Sequence, residues 1–267
     1  MAAEQKAIGL ALSGGGARGF THVGVLKVLA EAGVPIGEVA GTSMGSIVGA
    51  YFALHGNVDV LDAFARSLTA RTALRYFDPC MPRASLIKGE RLRQLLTEWF
   101  GDACIEDARI PLAVAATDLA TGRGVIFRKG RVVDVVLASA SLPGLLPPVR
   151  IDGSYYVDGG VVLQLPAEAL THSGLVLVAV GLPLFSVKTP KFDRVPRLTE
   201  TLMMSYAIGR QQTVEDLRAQ LHDGVLILPA TGTVQDVLSF HRSGEFVRSG
   251  ETAARKALPR IRELLGA

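Results

Sequence analysis

Apolar residues along this chain fall into short runs separated by longer stretches of helical period. Residues 7–12, 34–40, 111–116 and 175–180 read as short buried strands bounded by turn residues, with 225–228 as the last strand. Between them, 20–32 carries Val23, Val25, Leu26, Val28 and Leu29 at helical spacing, and Gly33 is placed to end that helix. Residues 46–54 read as a buried helix rich in small side chains, and 58–68 as an amphipathic one. Residues 89–100 put Leu92, Leu95, Leu96 and Trp99 on one helical face. Trp99 there reads as core packing, with an acyl-pocket wall as the alternative. Helices are also predicted over 132–140, 168–171, 198–221 and 251–265, with 71–82 an irregular connection and 161–166 extended. Val125-Ile126-Phe127 returns after the 111–116 run, and Asp152-Gly153 between two apolar triplets is the strongest hairpin signal. The stretch 182–196 holds three prolines, two phenylalanines and two lysines. It reads as a lid or interfacial loop, with a disordered surface loop as the alternative. Strands alternating with helices predict an α/β sandwich with a partly parallel sheet. No linker divides residues 1–267, so one domain is expected, with about 55–110 as a helical insertion within it.

Composition narrows the picture modestly. The 49% hydrophobic content supports one sizeable core. Net charge is +3 with pI near 9.0, but the basic residues form no run or stripe, so no nucleic-acid partner is expected. Cys80 and Cys104 offer neither a disulfide framework nor metal-ligand spacing and read as free thiols. The apolar run at 7–12 is too short for a signal-peptide core, and no run reaches the roughly 18 apolar residues of a membrane span. A soluble cytoplasmic protein is expected, with any membrane contact peripheral. Nothing in the sequence sets an oligomeric state.

Candidate chemistry sits in three places. Gly41-Thr42-Ser43-Met44-Gly45 fits Gly-x-Ser-x-Gly, a serine on a tight strand-to-helix turn with its hydroxyl exposed. The following helix would point its positive end at Ser43. Ser13-Gly14-Gly15-Gly16-Ala17-Arg18-Gly19 lies between a strand and a helix, where amides can converge on an anion. A dinucleotide loop accounts for Gly14, Gly16 and Gly19, but its acid, Glu38, stands at the start of a strand that runs into the serine turn. A Walker-type loop needs lysine where Phe20 stands. An oxyanion hole is the third reading, and a plain tight turn the fourth. Asp158-Gly159-Gly160 closes a strand with an accessible carboxylate. Asp118 reads as a brace for its own turn, and His22 as a packed core histidine.

These stretches resemble the three blocks of the patatin-like phospholipases. Thr21-His22-Val23-Gly24-Val25-Leu26, Thr117-Asp118-Leu119-Ala120-Thr121-Gly122 and Ala138-Ser139-Ala140-Ser141-Leu142-Pro143 resemble further blocks of the bacterial members. The similarity extends over nearly the whole chain. It implies a three-layer α/β/α sandwich with a central, mostly parallel mixed sheet. It also implies a Ser–Asp dyad rather than a triad. Ser43 would attack a lipid ester carbonyl, and Asp158 would take the serine proton and return it to the leaving alcohol. Amides of Gly14, Gly15 and Gly16, chiefly the last two, would hold the oxyanion. Arg18 would meet a phosphate head group or brace the loop, and Gly19, Gly41, Gly45, Gly159 and Gly160 complete the supporting motifs. No metal or cofactor is implied; the expected substrate is a lipid ester of the phospholipase A or lysophospholipase type. Two positions depart from the pattern. Leu163-Gln164-Leu165-Pro166 stands where asparagine and proline are common, and Leu146 where phenylalanine is common.

Two alternatives remain at this point. A Ser–His–Asp esterase could recruit His172, His222 or His241, all of which follow Asp158, but only 42 residues precede Ser43, too few for that fold's early strands. A non-catalytic anion- or nucleotide-binding protein explains the Gly14–Gly19 loop but leaves the other two motifs unaccounted for.

Overall fold

The computed structural model describes residues 6–81, 84–172, 174–182, 224–232 and 234–266, together with 195, 201, 204–206 and 208. Most of the 182–196 loop and of the 198–221 helix lies outside the described residues. An eight-stranded mixed sheet forms the centre. Its strands are β1 (Ile8–Leu12), β2 (Ile36–Thr42), β3 (Leu112–Asp118), β4 (Gly124–Phe127), β5 (Val149–Ile151), β6 (Ser154–Asp158), β7 (Val176–Val180) and β8 (Val225–Ile227). They run in the order β5-β6-β3-β2-β1-β7-β8, with β4 on the free edge of β3. Pairings among β3, β2, β1, β7 and β8 are parallel, whereas β4, β5 and β6 run antiparallel to their neighbours. The sheet is therefore mixed and mostly parallel, as expected.

The helices are α1 (Thr21–Glu31), α2 (Met44–His55), α3 (Asp59–Ser67), α4 (Ala70–Ala73), α5 (Glu90–Phe100), α6 (Val132–Ala140) and α7 (Ser243–Leu265). Strand side chains alternate between faces. One face carries Leu10, Leu12, Val39, Val114, Val178 and Val180, which pack under the helices in the main core. The other carries Ala11, Ala40, Ala113 and Ala179, small enough for Leu165, Ala169 and Leu170 to lie close over them. The hairpin forms at Asp152-Gly153, both with positive φ (49° and 89°), the requirement of a type I′ turn.

Two expectations need correction. Residues 161–166 are not extended: a 3-10 turn over Gly159–Val161 leads into an irregular loop. The terminal helix starts at Ser243, not 251, because its glycines serve packing rather than termination. A Cβ on Gly250 would strike the Thr21 carbonyl, and one on Gly24 the Val247 carbonyl, so bare glycines let α1 and α7 cross backbone to backbone. The irregular connection at 71–82 does contain the single turn α4 and a 3-10 turn at Leu74–Tyr76.

Register around β3 positions the chemistry. Thr42, the last residue of β2, pairs with Ala115, and Asp158, the last residue of β6, pairs with Ala116. Since β4 occupies the opposite edge over Val114–Thr117, β6 must continue the edge that β2 leaves. Strands β2 and β6 thus meet end to end, and their C-terminal residues face each other across adjacent positions of β3.

Candidate active site

Ser43 follows β2 and caps α2 with φ 53° and ψ −126°. A non-glycine residue held there stores strain and is characteristic of a nucleophile turn. The turn is tight because α2 begins almost in contact with β1. A Cβ on Gly45 would overlap the Leu12 and Ser13 carbonyls, and one on Gly41 would sit 2.6 Å from the Ser46 Cα. Ser43 N–H donates to Ser139 Oγ (2.8 Å), and Ser139 Oγ donates to the Ala115 carbonyl (2.6 Å). The turn is thereby tied to β3 through a buried serine on α6.

Ser43 Oγ donates to Asp158 Oδ2 at 2.7 Å, and both residues are buried. The other carboxylate oxygen, Oδ1, accepts the Gly160 amide (2.7 Å) and the Tyr206 hydroxyl (2.9 Å). The aspartate main chain is fixed as well: its N–H donates to Ser141 O, and its carbonyl accepts from the Thr117 hydroxyl. Gly159 packs so closely on β3 that a Cβ there would overlap the Ala115 carbonyl. Among the described residues, no histidine ring is hydrogen-bonded to Ser43. His22 is fully buried, its Nε2–H donating to Ser13 O at 2.7 Å, and burial pushes its pKa down to about 4. It is a core histidine, as expected.

The glycine loop lies beside the serine. Gly14, Gly15, Gly16 and Arg18 line the same cavity as Ser43 and Asp158. One part of the expected oxyanion hole needs correction: the Gly14 N–H is committed to the Gln164 carbonyl at 3.0 Å. The Gly15 and Gly16 amides have no hydrogen bond among the described residues. Arg18 is fully buried, and Gly19 packs against Met44, whose Cβ a side chain would meet at 2.5 Å. Glu38 has no part in this loop. Although burial opposes its charge, hydrogen bonds from His172, Arg128 and the His172 and Thr171 amides hold its carboxyl below the usual range. It ties β2 to the 169–172 segment. Asp118 braces its turn by accepting the Ala120 and Thr121 amides, both at 2.9 Å.

The cavity encloses about 160 Å3 and is overwhelmingly apolar. Part of its wall comes from the 55–110 region, including Phe64 on α3, Leu68 just after it, Tyr76, and Leu92 and Trp99 on α5. Trp99 therefore does more than fill the core: it stacks edge-on against Phe64 at 5.0 Å and faces the cavity. Leu146 also lines it.

A family model described as patatin-like phospholipase matches residues 10–171, which include every motif residue above. The chain belongs to the patatin-like phospholipase family. An uncharacterised NTE family protein of Mycobacterium tuberculosis is 39% identical over 193 residues, 72% of this chain and 53% of the relative. A second such protein from the same species is 33% identical over 279 residues, covering 95% of this chain and 46% of the relative. A lysophospholipase, NTE1, of Pyricularia oryzae is 35% identical over 176 residues, 65% of this chain but 12% of that much longer protein. The chain thus spans about half the length of these mycobacterial relatives. Among solved structures, VipD from Legionella pneumophila superposes with a TM-score of 0.51 over 97% of this chain and 67% of its own, at 14% identity. That likeness speaks to the fold of this patatin-like chain alone.

Three side chains around the candidate site carry little or no signal of their own in sequence. Ser139 stands in the Ala138–Leu142 stretch flagged by resemblance, but nothing local marks it as the partner of Ser43. Tyr206 is one aromatic residue in a predicted amphipathic helix. Gln164 shows only as a departure from the family's usual asparagine.

Proposed function

We propose that this chain is a serine acyl hydrolase acting on lipid esters through Ser43 and Asp158. The observation that carries the reading is the 2.7 Å Ser43 Oγ–Asp158 Oδ2 hydrogen bond at the polar end of an apolar cavity. An acyl chain enters the cavity and presents its carbonyl carbon to Ser43 Oγ. As Oγ attacks, its proton passes to Asp158 Oδ2, so no separate base is needed. The carbonyl oxygen becomes an oxyanion, held by the Gly15 and Gly16 amides with help from the positive end of α2. Collapse expels the alcohol, which takes the proton from Asp158. Water then attacks the acyl-serine by the same route, with Asp158 again accepting a proton. The carboxylate has little freedom to turn away, since Oδ1 is held by Gly160 and Tyr206. The lysophospholipase name of a fungal relative supports a lipid substrate. Among the described residues, no helix is long and apolar enough to cross a membrane.

Hydrolysis of p-nitrophenyl butyrate and of lysophosphatidylcholine by the purified protein tests the proposal. Ser43→Ala and Asp158→Ala should each remove several orders of magnitude of rate with melting temperature preserved. A fluorophosphonate should label Ser43. Labelling of Ser46 or Ser141, whose hydroxyls are committed to the Ser43 and Leu137 carbonyls, would overturn the assignment. Activity retained in Asp158→Ala but lost in a single histidine variant would establish a triad instead.

A further inference from the structure

Gln164 departs from the family's usual asparagine, and the mechanism above does not use it. It is 2% exposed and lines the cavity beside Ser43. It holds Gly14 at two points: its carbonyl accepts the Gly14 N–H (3.0 Å), and its side-chain Nε2 donates to the Gly14 carbonyl (2.7 Å). The second bond matters because of what shares its peptide plane. The carbonyl of Gly14 and the N–H of Gly15 belong to one peptide group, which is trans here. In a trans peptide these two bonds point in opposite directions. Anchoring the Gly14 oxygen therefore aims the Gly15 N–H away from Gln164.

The loop needs such an anchor. It is glycine from 14 to 16, so no side chain restricts its rotation, and Gly16 stands at φ 56°. A side chain at Gly14 would be crowded, its Cβ 3.0 Å from Gln164 Oε1 and 3.2 Å from Ser43 Cβ. The anchor has to come from across the cavity. Gln164 also carries a cost that space-filling alone would not justify. Its Oε1 is buried and has no hydrogen-bond partner among the described residues. A methionine would fill similar space without an orphaned oxygen.

We propose that Gln164 is the positioning residue of the oxyanion hole, its side-chain amide fixing the Gly14–Gly15 peptide so that the Gly15 N–H is set for the developing charge. This rests on the acyl-hydrolase reading above. The glutamine touches no reacting atom and acts only through the peptide it holds.

Gln164→Met and Gln164→Leu keep an apolar side chain of similar volume and remove the donor. The test measures kcat, KM and melting temperature for p-nitrophenyl butyrate, and Ki for a trifluoromethyl ketone, whose serine adduct carries an oxyanion. Both variants should lose about 10- to 100-fold in kcat with KM within about twofold, because only the transition state uses the donor. Ki should rise by a similar factor, while the Gln164→Met melting temperature stays near that of the wild type. Wild-type kcat and Ki in both variants would overturn the proposal while leaving the dyad reading intact. Loss of folding in both would make Gln164 a structural residue and overturn it too. A wild-type protein that neither hydrolyses ester nor takes fluorophosphonate would sink the acyl-hydrolase reading, and this proposal with it.

Discussion

Replacing Ser139 with alanine removes one buried oxygen atom outside the cavity lining, and the structure sets what that should cost. The hydroxyl accepts the Ser43 N–H at 2.8 Å and donates to the Ala115 carbonyl at 2.6 Å, and Ser139 is fully buried. Its loss strands a donor and an acceptor in the core. Each buried group left unpaired costs about 1–3 kcal/mol. The carbonyl is the cheaper of the two to strand, since it keeps a second lone pair, so the pair should cost about 2–4 kcal/mol. For a chain of this size that corresponds to a melting temperature lower by about 4–8 °C. Activity should fall further than stability alone explains. Ser43 is held at φ 53°, a conformation that costs about 1–3 kcal/mol and persists only where its surroundings enforce it. Without the Ser139 tether the turn relaxes, and kcat should drop about tenfold or more at temperatures where the variant is fully folded. Urea denaturation gives the stability change, and steady-state hydrolysis of p-nitrophenyl butyrate gives kcat. A Ser139→Ala variant within about 0.5 kcal/mol of wild type and with wild-type kcat would refute the reasoning.

Two further outcomes follow from buried groups. His22 has a folded pKa near 4 against an ordinary 6.5, so the unfolded chain binds its proton first as pH falls. Stability should therefore hold above pH 6.5 and decline by about 3 kcal/mol as pH falls to 4, and His22→Gln should abolish that part of the slope in pH-dependent urea melts; parallel slopes would reject it. Gly45→Ala should destabilise by more than about 3 kcal/mol, since its Cβ meets main-chain carbonyls of Leu12 and Ser13 that cannot step aside; a soluble variant with a wild-type melting temperature would contradict the packing described.

Legibility followed the range of the interactions. Strands β1, β3 and β7 and the Asp152-Gly153 hairpin were readable because apolar runs and turn residues are local signals. The serine turn and the Asp158-Gly159-Gly160 end were readable as motifs for the same reason. Their encounter was implied by the family resemblance and not by any local signal, because it depends on β6 taking over the edge of β3 that β2 vacates, which brings together residues 115 apart in sequence. Ser139 and Gln164 act across 96 and 150 residues, and a serine or glutamine carries no periodic mark of such a partner. The cavity walls were open to two readings at most, as for Trp99, because Phe64, Leu92 and Trp99 show the same helical spacing whether they face the core or a ligand. The glycines of α7 misled in the opposite direction. The expected helix began only at 251, just past Gly250, whose constraint is a neighbouring helix more than 200 residues earlier in the chain.

If Ser43 and Asp158 act as the proposed dyad, the end-to-end meeting of β2 and β6 also makes the chain latent during its own synthesis. Ser43 is made early, yet its proton acceptor is the last residue of β6, and Tyr206, which steadies that acceptor, comes 48 residues later still. A nascent or truncated chain ending before Asp158 carries the nucleophile without its base, and without the strand that brings the two together. A growing chain therefore stays inert until the sheet closes, and the first appearance of fluorophosphonate labelling during refolding would serve as a clock for that closure.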